Sequence, residues 1–268
     1  MFDIDICSDL KLSGDEMIFI AGPCAVETED QMVKTAKFLS SIGVRILRGG
    51  AYKPRTSPDN FQGLGEEGLK ILASAAEQTG MVVVTEVMDS DQIGIVSKYS
   101  DILQVGSRNS QNFSLLKKLG RQKKPVLLKR GFGNTVDEFI NSSRYISREG
   151  NRNIIMVERG IRTFETSTRF TLDVSAVPVI KEVLDYPVLI DPSHPAGKRR
   201  FVQPLALAGI GSGADGLMVE VHPAPENALS DRDQQLDFHQ FRQLYRTSQS
   251  MFSFMHGQSS VEVERRIE

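Results

Sequence analysis

Eight short β-branched runs along this chain each end in, or next to, a side chain able to hold an anion, a metal ion or a proton. IFIAGPC ends on Cys24, VRILRGG carries Arg48, VVVTEV carries Glu86 and DILQVGSRN carries Arg108. VLLKR contributes Lys129, NIIMVERG Arg159, VLIDPSH His194 and GLMVEVH Glu220. Behind the second run lies YKPRTSPDNFQGL, residues 52–64, which adds Lys53, Arg55, Thr56 and Ser57 in a stretch rich in Pro, Ser, Asn and Gly. That composition reads as a long loop, stiffened by Pro54 and Pro58, and a stiff loop loses less entropy when it closes on a ligand.

Arg48, Lys53, Arg55, Arg108, Lys129 and Arg159 all fall at run ends or just after them. Taken singly, each is more often an exposed surface charge. Brought together they repel one another and lose hydration, so the cluster makes physical sense when an anion neutralises it. Arg supplies a planar fork for carboxylate or phosphate and Lys a compact charge. Six cations exceed the need of one phosphate and match two phosphates plus a carboxylate. Thr56 and Ser57 add hydroxyl donors for phosphate oxygens.

A second set of residues has the chemistry of metal ligands. Cys24 follows the first run, His194 the seventh and Glu220 ends the eighth, while Asp231 lies beyond it in NALSDRDQQ. Thiolate, imidazole and carboxylate together suit a borderline first-row divalent ion such as Mn, Fe, Co or Zn. No two of these ligands form a compact motif, and a free Cys is as often a small buried hydrophobe.

The elements that must bring these groups together are legible in the periodicity. Stretches 28–42, 65–79, 135–149 and 233–249 repeat apolar residues at helical spacing between the runs. Eight strand–helix alternations predict an α/β fold, a single (β/α)8 TIM barrel. In that fold the C-terminal strand ends form one rim where active sites are built, and closure makes the first, seventh and eighth strands neighbours. The expected division is an extension or hairpin over residues 1–16, a catalytic barrel over 17–252 and a polar C-terminal tail over 253–268.

The totals narrow the function. With 32 basic and 34 acidic residues, a net charge of −2 argues against a nucleic-acid or membrane-surface binder, which needs excess positive charge. No apolar run reaches the length of a membrane span, and the acidic N-terminus lacks the start of a secretory signal. Two cysteines, Cys7 and Cys24, make no disulfide framework, so a cytoplasmic location is expected. GLGEEG at 63–68 matches a dinucleotide fingerprint literally, yet no strand runs into it and Glu66 and Glu67 would repel a pyrophosphate. It reads as a loop-to-helix entry. Two readings of Lys129 stand side by side: an anion ligand, or a desolvated amine forming a Schiff base as in barrel aldolases.

The motifs AGPCAVE at 21–27, RGGAYKPRTSP at 48–58, FQGLGEEGL at 61–69 and VGSRNSQN at 105–112 resemble the 3-deoxy-D-arabino-heptulosonate 7-phosphate (DAHP) synthases. LLKRG at 127–131, ERGIRTFE at 158–165, DPSHPAG at 191–197 and EVHPAPENALSD at 220–231 extend the resemblance over nearly the whole barrel, closest to the type I-beta branch. It implies a metal-dependent condensation of phosphoenolpyruvate with D-erythrose 4-phosphate and water, giving DAHP and phosphate, the first step of the shikimate pathway. It further implies Cys24, His194, Glu220 and Asp231 as divalent-metal ligands. Arg48, Lys53, Arg108, Lys129 and Arg159, with the backbone of Ser107, are implied as phosphoenolpyruvate contacts, and Arg55 and Thr56 as contacts to the aldose phosphate. Lys53 is the candidate proton donor, with His194 or a metal-bound water as alternatives. Ser107 stands where the family often has Ala, and Arg232 where Gly is common. The sister family, which makes 3-deoxy-octulosonate 8-phosphate from arabinose 5-phosphate, is the alternative; KPRTS at 53–57 favours the four-carbon aldose. A homodimer or homotetramer is expected by the same resemblance, and little feedback inhibition by phenylalanine or tyrosine, for want of an appended sensory domain.

Overall fold

The computed structural model describes residues 2–54, 57 and 59–257. Arg55, Thr56 and the segment 258–268 lie outside the described residues. The chain opens with an antiparallel hairpin, β1 (Asp3–Cys7) and β2 (Leu10–Ser13). Eight parallel strands follow: β3 (Ile18–Gly22), β4 (Ile46–Arg48), β5 (Val82–Glu86), β6 (Ile102–Val105), β7 (Val126–Lys129), β8 (Ile154–Glu158), β9 (Val188–Ile190) and β10 (Gly216–Glu220). They pair in sequence order and close when β10 pairs with β3, Glu220 opposite Gly22. The helices α1 (Glu29–Ser41), α2 (Glu66–Glu77), α3 (Ile93–Tyr99), α4 (Phe113–Gly120), α5 (Val136–Ser147), α6 (Ala176–Val183), α7 (Ser193–Ala196), α8 (Val202–Gly211) and α9 (Phe238–Met255) lie between and after the strands. This is the (β/α)8 barrel that the alternation predicted.

Strand residues alternate between two apolar clusters, as the two-residue repeat of a strand requires. Ile18, Ile20, Ile46, Val82, Val84, Ile102, Leu127, Ile155, Val157, Leu189 and Met218 fill the barrel interior, and Ile4, Leu10 and Leu12 of the hairpin pack onto them from the N-terminal end. The intervening residues, such as Phe19, Leu47, Val83, Leu103, Leu128 and Met156, face the helices. Burying each such side chain contributes roughly 1.5–3 kcal/mol, which favours this register over a one-residue slip.

That parity sets the composition of the open end. One step of two beyond the interior residues come Arg48, Glu86, Gln104, Lys129, Arg159, Asp191 and Glu220. The final interior layer is therefore polar. At its edge Gly22 (φ +149°) lets β3 approach β4 closely; a Cβ there would lie 2.0 Å from the Arg48 carbonyl oxygen.

Two spans differ from the sequence expectation. The helix expected at 233–249 begins at Phe238, because the Asp237 side chain caps it in a reciprocal capping box with Gln240. Residues 233–237 instead return to the barrel, where Leu236 bridges Val221. At the other end the helix runs to Met255, so Ser253, Phe254 and Met255 belong to it and not to a tail. The GLGEEG stretch does enter a helix, with Gly65 at the N-cap of α2.

Candidate active site

Cys24 follows β3 and is fully buried. Its Sγ lies 3.0 Å from Ser230 Oγ, 3.0 Å from Lys53 Nζ and 3.3 Å from Asp231 Oδ2. The ligand atoms of Cys24, Glu220 and Asp231 fall within 4.8 Å of one another. His194, in the short helix α7, places Nε2 3.5 Å from Glu220 Oε1 and 3.9 Å from Asp231 Oδ2. Three of the four residues expected to converge, Cys24, Glu220 and Asp231, thus form one close group, and His194 adjoins it on the side of Glu220 and Asp231.

The segment ahead of α9 supports this cluster. Gln234 donates to Glu220 Oε2 at 2.6 Å, while Gln235 accepts from the Cys24 amide at 3.0 Å and donates to the Ser230 carbonyl at 2.8 Å. Asp231 has φ +51°, a left-handed conformation that Asp tolerates better than most residues. Arg169 holds its other carboxylate oxygen at 3.2 Å.

Buried charge is arranged in opposed pairs. Arg48 reaches Glu220 at 2.9 Å, and Lys53 donates to the Cys24 carbonyl at 2.9 Å. Asp191, 1% exposed, accepts from Lys129 Nζ at 2.5 Å and faces His194 Nδ1 at 2.6 Å through the same oxygen. Its other oxygen accepts from the His194 amide at 3.1 Å. Burial alone would raise the Asp191 carboxyl, but the charge interactions with His194 and Lys129, with the hydrogen bond from His194, hold it well below its ordinary value. Burial lowers His194, so its ring is neutral near pH 7, with Nδ1–H donated to Asp191 and the Nε2 lone pair turned toward the cluster. Burial would likewise raise Glu220, yet His194, Arg48 and Lys53 hold it far below the carboxylate range. Cys24 moves the other way: burial, reinforced by Glu220, pushes its thiol up to about 12.

The remaining cations line the same mouth. Lys129 and Arg159 are buried, and burial pulls both below their ordinary values, Arg159 to about 10. Arg108 stands exposed in the 3-10 turn Ser107–Asn109, 5.5 Å from the Phe132 ring centroid. Arg48 Nε and Arg159 Nε are buried without a partner among the described residues, as expected of donors meant for an anion.

Three residues around the site were not singled out from sequence, Asp191, Arg169 and Gln234, and Glu86 was named only as a run end without a role. Glu86 is half-buried, and burial raises its carboxyl, with Lys53, Lys129, Arg48 and Arg108 the cations opposing that rise. Interior parity, two residues on from Leu189 and Val84, is the signal that locates Asp191 and Glu86. Arg130 shows the reverse case. It follows Lys129 but faces outward, bonded to buried Glu158 at 2.8 Å and to Asp173 at 2.7 Å. Arg130→Met is expected to lower unfolding free energy by about 3–5 kcal/mol in urea titration, because Glu158 keeps a buried, uncompensated charge. A loss under about 1 kcal/mol would show that the network is not structural.

The chain matches the DAHP synthetase I family over residues 4–256. It is 56% identical over 236 residues to a phospho-2-dehydro-3-deoxyheptonate aldolase of Thermotoga maritima, covering 88% of this chain and 70% of that protein. A 2-dehydro-3-deoxyphosphooctonate aldolase of Thioalkalivibrio sulfidiphilus is 34% identical over 241 residues, 80% of this chain and 82% of its own. Among solved structures, the DAHP synthase of Thermotoga maritima superposes with a TM-score of 0.91 at 52% identity, covering 95% of this chain and 74% of that one. A truncated form of the Thermotoga maritima enzyme gives 0.88 at 49% identity, covering 95% and 93%.

Proposed function

The chain belongs to the DAHP synthetase I family and is an enzyme of the transferase type, and from that premise we propose that it condenses phosphoenolpyruvate with D-erythrose 4-phosphate and water, yielding DAHP and phosphate. The observation that carries this reading is the polar interior layer, where a thiol, an imidazole and two carboxylates adjoin a set of buried cations. The higher identity to the heptonate enzyme than to the octonate enzymes supports the four-carbon aldose. Lys129 is read as an anion ligand rather than a Schiff-base former, since its ammonium is held at 2.5 Å by Asp191.

The donor set fits a divalent ion. Metal bonds of about 2.0–2.3 Å set ligand atoms roughly 3–4 Å apart; Cys24–Asp231 at 3.3 Å, His194–Glu220 at 3.5 Å and His194–Asp231 at 3.9 Å fall in that range, and Cys24 and Glu220 lie within 4.8 Å of each other. These residues would hold an ion of the Mn, Fe, Co or Zn class, which when bound supplies Lewis acidity toward an aldehyde oxygen.

The chain's own groups account for the rest. An enol phosphate is a weak carbon nucleophile, and two phosphorylated substrates repel. Arg48, Arg108, Lys129 and Arg159 offset the repulsion and hold phosphoenolpyruvate in one orientation, so that proximity replaces a bimolecular encounter. Lys53 Nζ, beside Cys24 Sγ, is placed to give a proton to the aldehyde oxygen as the carbon–carbon bond forms. Water then adds at the electron-poor enol carbon. Glu86, half-buried and under the charges of Lys53, Lys129 and Arg48, is the carboxylate we assign to take the proton of that water before phosphate departs.

Phosphate release with phosphoenolpyruvate and a panel of phosphorylated aldoses tests the reading. Release is expected with erythrose 4-phosphate, abolished by chelation and restored by Mn or Co. Preference for arabinose 5-phosphate, or full activity after chelation, would contradict it.

A further inference from the structure

Three loops of the barrel mouth meet on a pair of stacked rings. Phe132 lies between β7 and α5, and Phe170 lies between β8 and α6. Their centroids are 5.2 Å apart with planes inclined by 9°. The Arg159 guanidinium carbon lies 4.8 Å from the Phe132 centroid and 4.2 Å from that of Phe170. Arg108 reaches Phe132 at 5.5 Å, Arg162 reaches Phe132 at 5.3 Å, and Arg169 reaches Phe170 at 5.9 Å.

The backbone locks the stack in place. Arg162 N–H donates to the Phe132 carbonyl at 2.8 Å, Phe170 N–H donates to the Pro195 carbonyl at 3.1 Å, and Ile161 bridges Thr171. Four guanidinium groups thus surround one small aromatic body. Like charges so placed repel, and the electron-rich ring faces attract them; Arg169 is also held by Asp231 at 3.2 Å and Gln234 at 3.0 Å.

Arg159 depends on the rings most. It is 3% exposed and makes no ion pair among the described residues. Its one hydrogen bond among the described residues is a long one, 3.5 Å to the Gly160 carbonyl. A carboxylate partner would fix the guanidinium but occupy the N–H donors that an anionic substrate needs. An aromatic face fixes it while leaving those in-plane donors available.

We propose that the Phe132–Phe170 stack is a positioning element for the anion-binding arginines, holding Arg159 and Arg108 in their phosphoenolpyruvate-binding orientation before the substrate arrives. The inference rests on the phosphoenolpyruvate reading and deepens it. Acting through the arginines, the rings contribute to substrate binding and leave the chemical step unchanged.

The test compares Phe132→Leu and Phe170→Leu with Phe132→Tyr and Phe170→Tyr in the full-length, metal-loaded enzyme. Leucine keeps apolar packing but removes the π face; tyrosine restores the face. Phosphoenolpyruvate binding by calorimetry and steady-state kinetics are both read, and thermal unfolding midpoints verify that each variant is folded. Each leucine variant is expected to weaken binding and raise KM for phosphoenolpyruvate by roughly 5- to 30-fold, with kcat and KM for the aldose within about twofold. The tyrosine variants are expected to match the parent. Leucine variants that bind like the parent, or tyrosine variants as weak as leucine, would overturn the inference alone. A parent enzyme that binds no phosphoenolpyruvate would overturn the functional reading along with it.

Discussion

Replacing Asp191 with Asn is expected to lower kcat/KM by about 10²- to 10³-fold while leaving a folded protein, a larger loss than any single cation of the mouth should cause. One carboxylate oxygen serves two partners, Lys129 Nζ at 2.5 Å and His194 Nδ1 at 2.6 Å. An amide keeps the shape, but its oxygen carries no charge for the ammonium. Lys129 then sits buried and unpaired near Arg159 and Arg48, which lowers its tendency to stay protonated. On the other side, His194 keeps only an uncharged acceptor for Nδ1–H, which weakens the bond that fixes the ring and leaves Nε2 free to coordinate. Second-sphere losses of this kind typically cost about 10- to 100-fold in metal affinity. Metal titration and phosphoenolpyruvate kinetics on Asp191→Asn should therefore both worsen. If only one does, Asp191 does not link the two halves of the site; if neither changes beyond about threefold, the assignment of both fails.

Cys24→Ser carries the second large expected effect. In the metal-free protein the thiol, pushed up to about 12 by burial and Glu220, keeps its proton throughout the neutral range. A coordinating sulfur must be a thiolate, so metal uptake should expel one proton from Cys24, with none from His194, which is already neutral. Affinity should then fall as pH drops, by up to about tenfold per unit for that one proton. Serine is a poor ligand for a soft-to-borderline ion. Calorimetry in buffers of different ionisation enthalpy should show proton release near one per metal in the parent. In the variant both the release and most of the affinity should disappear, together with activity. Unchanged release and affinity would mean that Cys24 is packed in the core and not bonded to the ion.

Much of this site was legible in the chain because a parallel barrel obeys a simple geometry. Strand ends share one rim, so the residues closing each β-branched run were bound to meet, and Cys24, Arg48, Lys129, Arg159, His194 and Glu220 do. Fold and rim needed only the alternation of strand and helix patterns. Membership of a run end did not distinguish inward from outward residues. Lys129 and Arg130 are adjacent, yet one faces the mouth and the other a structural carboxylate behind the barrel wall. Counting in twos from the interior residues separates them and also recovers Asp191 and Glu86. The support given by Gln234 and Gln235 was hidden for another reason. Their stretch shares helical spacing with α9, and only the capping box at Asp237 reveals that the helix begins later. Loops carry the rest: Asp231 is held by Arg169 from a segment between β8 and α6 that has no periodic signature.

X-ray absorption at the metal edge of the loaded enzyme tests the central claim most directly. A zinc-loaded sample should show one sulfur neighbour at about 2.3 Å with nitrogen and oxygen neighbours at about 2.0–2.2 Å, and the sulfur shell should vanish in Cys24→Ser. A shell of nitrogen and oxygen alone in the parent enzyme would contradict a centre assembled by Cys24, His194, Glu220 and Asp231.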